Sequence, residues 1–60
     1  MKVKLIGKSL GKSAVEEFGC DVGSVVDCGV RANGNEYYLV ELDNKVRVQV
    51  DKDWCEEISN

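Results

Sequence analysis

From Val25 to Val50 the chain reads VVDCGVRANGNEYYLVELDNKVRVQV, and this stretch constrains the fold more than any other. It divides into three runs, residues 25–31, 36–42 and 45–50, rich in Val, Tyr and Leu. Such residues suit a pleated, half-buried surface. Between the runs lie Asn33-Gly34-Asn35 and Asp43-Asn44-Lys45. Asn, Gly and Asp tolerate the positive φ that tight hairpins demand. The pattern predicts a three-stranded antiparallel meander.

Alternation tests the register. Two-residue loops would set Leu42 opposite Lys45 and Val40 opposite Arg47, apolar against charged throughout. Three-residue loops instead pair Leu42 with Val46, Val40 with Val48 and Tyr38 with Val50. In the first hairpin they pair Val30 with Tyr38, Cys28 with Val40 and Val26 with Leu42. Both hairpins then put Tyr38, Val40 and Leu42 on one face, and a one-residue slip would turn that set over. The predicted core face is Val26, Cys28, Val30, Tyr38, Val40, Leu42, Val46, Val48 and Val50. The opposite face carries Asp27, Gly29, Arg31, Tyr37, Leu39, Glu41, Arg47 and Gln49. This register also sets Asp27 against Glu41, a mildly unfavourable like-charge pair.

At 60 residues the chain makes a single domain, residues 1–60. A chain this short buries only about 60% of its unfolded surface. The net charge of −3 argues against a strong electrostatic footprint for nucleic acid. Charge is uneven, however: residues 1–12 hold four Lys and no acid, and residues 51–57 hold four acids and one Lys. A polarised molecule with a small basic end is expected. The start, Met1-Lys2-Val3-Lys4-Leu5-Ile6, lacks the apolar run of a signal peptide. No segment is long and apolar enough for a membrane span. The odd count of three Cys then reads as free thiols in a reducing cytoplasm.

In chain order, residues 2–6 read as a first strand with Val3 and Leu5 inward. Gly7-Lys8-Ser9-Leu10-Gly11-Lys12-Ser13 reads as a loop. Ser13-Ala14-Val15-Glu16 fits a capping box, and Gly19 is a natural stop. A helix over Ala14–Phe18 follows, held to the sheet by Val15 and Phe18. Gly23 marks a bend before the meander. After Val50 a single 3₁₀ turn is expected over residues 51–54, with Asp51 or Asp53 as its cap. A short last strand over residues 55–58 then turns Ile58 inward, and Ser59-Asn60 reads as a terminus.

Strand, long loop with a helical turn, meander, single turn, short strand: that order resembles SH3-like small barrels. The resembling residues are the meander and the turn at 51–54 before a last strand at 56–58. The resemblance implies a mostly β fold, a small barrel of about five antiparallel strands with one short helical turn in the first long loop. The aromatic set of peptide-binding SH3 domains is not recognisable, so proline-rich peptide binding does not carry over. Very small acidic barrels also look like uncharacterised proteins encoded by bacteriophages, which suggests a binder of a host protein.

Three sequence features invite a chemical reading. The GKS ending at Ser13 is that of a phosphate-binding loop, but Gly7 and Gly11 enclose three residues where that loop needs four. Cys20, Cys28 and Cys55 form no C-x₂-C pair, and the chain has no His, so a zinc site is not expected. Without His, no Ser or Cys has an evident general base, so no enzyme and no cofactor are expected. The acids Asp51, Asp53, Glu56 and Glu57 read as a solvated cluster.

Two binding readings remain. The first is a protein-binding face of Arg31, Tyr37, Leu39, Arg47 and Gln49, with Trp54 joining it or plugging the barrel end. Tyr, Trp and Arg are the residue types that dominate interface energetics. A homodimer through this face would also support so short a chain. The bland counterpart is that residues 7–19 fold over Tyr37 and Leu39 and bury them. The second is a nucleic-acid-binding barrel, with Lys2, Lys4, Lys8 and Lys12 on phosphate and Tyr37 stacked on a base.

Overall fold

The meander forms as β4 (Val22–Val30), β5 (Glu36–Leu42) and β6 (Arg47–Asp51) in a computed structural model that describes residues 1–58. The predicted terminus Ser59-Asn60 lies outside the described residues. Before it come β1 (Lys2–Leu5), β2 (Lys8–Ser9), β3 (Lys12–Ser13) and α1 (Ala14–Phe18). A 3₁₀ turn (Lys52–Trp54) and β7 (Cys55–Glu57) follow. Five strands make one antiparallel sheet in the order β6-β5-β4-β1-β7, and β2-β3 is a separate hairpin. The fold is mostly β, a five-stranded antiparallel sheet with one short helix in the first long connection, as expected, with the β2-β3 hairpin added. The sheet is not closed by hydrogen bonds: among the described residues β6 and β7 are its two edges.

The second hairpin has the predicted register. Tyr38 lies opposite Val50 and Val40 opposite Val48, and the Leu42 amide donates to the Val46 carbonyl at 2.8 Å. Its three-residue loop, Asp43-Asn44-Lys45, ends in a left-handed residue, Lys45 at φ 74°.

The first hairpin differs. The same turn closes one residue earlier, on Ala32-Asn33-Gly34, with the Arg31 amide donating to Asn35 at 2.8 Å. The left-handed position then falls on Gly34, at φ 88°, where no Cβ has to be accommodated. Under the predicted loop it would have fallen on Asn35. The shift places Cys28 opposite Tyr38 and Val30 opposite Glu36. A bulge between Val25 and Asp27 then changes the parity, so that Val25 faces Val40 and Gly23 faces Leu42.

Part of the predicted core is corrected by these two events. Val26 is the extra residue of the bulge and is 48% exposed. Val30 and Cys28 lie beyond the covered part of the sheet and are exposed, as is Val46 at the turn. The core is Val3, Leu5, Ala14, Val40, Leu42, Val48 and Val50, with Phe18, Cys20, Val25, Tyr38, Trp54 and Cys55 packed against it. The predicted repulsion does not arise either: Asp27 faces Leu39, and Glu41 lies between Ser24 and Arg47.

The first long connection folds as expected at its helix and not at its start. Ser13 caps α1 and Glu16 reaches back to the Ser13 amide at 3.3 Å, completing the capping box. Gly19 ends the helix in the left-handed conformation. Ala14, not Val15, is the residue α1 buries beside Phe18; Val15 is half exposed. Residues 8–13, read as a loop, form the β2-β3 hairpin instead. Leu10 and Gly11 take positive φ at both turn positions, as a two-residue hairpin loop requires. No helix among the described residues is long and apolar enough to cross a membrane.

Candidate functional site

An open groove of about 470 Å³ runs beside the outer edge of β6. Three parts of the chain build it. The capping box fixes α1 and so delivers Glu17 and Phe18 to one wall. The loop of the first hairpin supplies Arg31, Asn33 and Asn35. β6 and the turn after it supply Gln49, Val50, Asp51 and Trp54.

Trp54 is set by its glycine neighbour. The indole lies flat on Gly7, leaving no room for a Cβ there, and the Trp54 carbonyl accepts from the Ile6 amide at 2.8 Å. The ring packs on the core and also lines the groove. It therefore plugs the end of the sheet and offers an apolar surface at once.

Arg31 is held by two neighbours. Its Nε donates to Asp51 Oδ1 at 3.0 Å, and its guanidinium sits 5.4 Å from the centre of the Tyr37 ring. Tyr37 in turn lies against Gly29, where a side chain would collide with the phenol. Cation–π contact and ion pairing together orient the guanidinium fork. Asp51 flanks the 3₁₀ turn, but its side chain makes no capping hydrogen bond; it serves Arg31 instead. Next to it Lys52 Nζ donates to Glu36 Oε2 at 3.1 Å, which raises the lysine pKa.

Of the six residues predicted for protein binding, the structure brings Arg31, Gln49 and Trp54 together at the groove. Tyr37 stands behind Arg31. Leu39 lies opposite Gln49 and is half-buried between Asp27 and Gln49 on the same face. Arg47 points along the same strand but is bonded to Glu41, with Nε to Oε1 at 3.1 Å. α1 packs on the core face through Ala14 and Phe18, while Tyr37 and Leu39 on the opposite face are half-buried. Sequence reasoning missed Phe18 and Asp51 as groove residues. The capping box was the signal for the first, since it fixed where the helix would end. Nothing local in the sequence marks the pairing of Arg31 with Asp51, twenty residues on.

The four lysines of the alternative reading are dispersed. Lys2 is bonded to Asp43, Nζ to Oδ1 at 2.6 Å. Lys4 faces Glu56 on β7. Lys8 pairs with Ser13 and Lys12 with Ser9, so they project from opposite faces of the hairpin. Cys20, Cys28 and Cys55 are free thiols, and burial raises the pKa of Cys55. Among the described residues no three His, Cys, Asp or Glu side chains converge as a metal set would. With this geometry in hand, comparison with known proteins adds no relative: no family model, no curated protein and no solved structure matches the chain.

Proposed function

We propose that this chain is a non-enzymatic protein-binding module that receives a segment of its partner in the groove beside β6. One observation carries the reading: Phe18 and Trp54 line an open groove together with the oriented guanidinium of Arg31 and the amide of Gln49. The groove is of mixed character, with Phe18, Val50 and Trp54 as its apolar wall among polar and charged neighbours, as protein-binding surfaces commonly are. Aromatic and Arg anchors supply most of the energy at protein interfaces. The likeness to small phage-encoded barrels makes a host protein the partner we favour, met in the cytoplasm, where three free thiols persist.

An affinity pull-down from host lysate, read by mass spectrometry, tests this. The wild type should retain one dominant protein. Arg31→Ala should lose it while the thermal midpoint falls by only a few degrees, because Arg31 and Asp51 form a half-exposed ion pair. Retention unchanged by Arg31→Ala, or no specific retention, contradicts the proposal. The nucleic-acid alternative is disfavoured by the scattered lysines; salt-sensitive binding of a single strand in a low-salt titration would revive it.

A further inference from the structure

The outer edge of β6 has a pairing code of its own. Leu42 and Val46 form a hydrogen-bonded pair, so by alternation Val48 and Val50 bond to β5. The amides and carbonyls of Arg47 and Gln49 and the amide of Asp51 therefore point away from the sheet, while the Asp51 carbonyl accepts from the Cys55 thiol at 3.8 Å. No strand among the described residues takes them up. The strand has no proline, no bulge and no lysine between Arg47 and Asp51, the usual devices that blunt an edge.

Read against its own reverse, the sequence Arg47-Val48-Gln49-Val50-Asp51 is complementary. Antiparallel pairing about Gln49 sets Gln49 opposite Gln49, Val48 opposite Val50, and Arg47 opposite Asp51. The hydrogen-bonded positions are then 47, 49 and 51, whose outward backbone groups are unpaired among the described residues except for the Asp51 carbonyl. Each end gains a row of alternating charge: Asp51 of one chain, then Arg47 and Glu41 of the other. Arg47 already bonds Glu41, and Asp51 already bonds Arg31, so both groups are oriented before pairing. The other edge has no such self-complementarity. β7 is Cys55-Glu56-Glu57, three residues long, and self-pairing about Glu56 would oppose two carboxylates.

We infer that the outer edge of β6 itself takes strand β6 of a second copy, giving a two-fold homodimer with Gln49 on the axis and Arg47–Asp51 pairs on either side. This goes beyond the host-partner reading, whose partner segment meets the wall of Phe18, Trp54 and Arg31. A two-fold contact uses one patch twice, as this register does. Oligomerisation is a common support for chains near this length.

Sedimentation velocity over a concentration series is the test. The wild type should sediment as a dimer, and Gln49→Pro should halve the mass. The proline removes only an outward amide, which an edge strand tolerates, so the monomer should keep its fold by circular dichroism. Arg47→Asp and Asp51→Arg should each be monomeric alone and form a heterodimer when mixed, because the mixture restores opposite charges at both ends. That mixed arm stands even if the proline variant unfolds. A wild type that is monomeric throughout the series overturns self-pairing, while the wider binding reading is judged by its own pull-down. A dimer indifferent to all these substitutions overturns it as well, since the interface then lies elsewhere.

Discussion

Single residues decide where this chain turns. Gly34 and Lys45 occupy the same left-handed position in equivalent loops, one with a residue suited to it and one without. No neighbour would meet a Cβ at Gly34, so the cost of adding one is conformational alone. Gly34→Ala should lower stability by about 1 kcal/mol, and Lys45→Gly should raise it by about 0.5 kcal/mol, in urea unfolding. Equal and opposite effects are not expected, because glycine also loosens the unfolded chain. The residue scale is also where the sequence was least legible. An Asn-Gly-Asn loop offers two residues for one left-handed site, and the choice between them moved the first hairpin's register by two positions.

Among the elements, the second hairpin, the capped helix and the 3₁₀ turn were all readable from pattern and capping chemistry. β4 was not. Its bulge turns Val25 inward and Val26 outward, and neither residue type nor alternation announces it in a run of two valines. Stability should record the difference. Val40→Ala, at a fully buried site, should cost about 2–3 kcal/mol. Val25→Ala should cost about 1 kcal/mol, since Val25 is only half-buried against the core. Val26→Ala and Val30→Ala should stay within about 0.5 kcal/mol. The uninterrupted register would predict the reverse order for Val25 and Val26, so one denaturation series separates the two. The β2-β3 hairpin was missed for a related reason: Leu10 is a poor residue for positive φ, and Gly11 alone gave no hint of a paired turn.

For the whole molecule, the radius of gyration is 10.8 Å, close to the roughly 10 Å expected of a compact chain of this length. The core is nonetheless small, with seven buried apolar residues among those described. The groove is a property of this level. α1, the first hairpin's loop and the 3₁₀ turn meet at one sheet edge only because the chain wraps β1 and β7 around the far side of the meander. Two of its determinants, Arg31 and Trp54, stood out in the sequence as residue types. Their convergence with Phe18 and Asp51 depends on long-range packing that no local pattern encodes. The expected basic end was likewise dissolved at this scale, with Lys2 drawn to Asp43 across the fold.

The amide of Gln49 reports directly on whether the outer edge of β6 docks a second copy, as proposed. Its hydrogen exchange should be followed by NMR in dilute and concentrated protein, beside that of Val48, which bonds to β5. The Gln49 amide should exchange freely when dilute and become protected as concentration rises, while Val48 stays protected throughout. A Gln49 amide already protected in dilute monomer, or equally unprotected at every concentration, would contradict it.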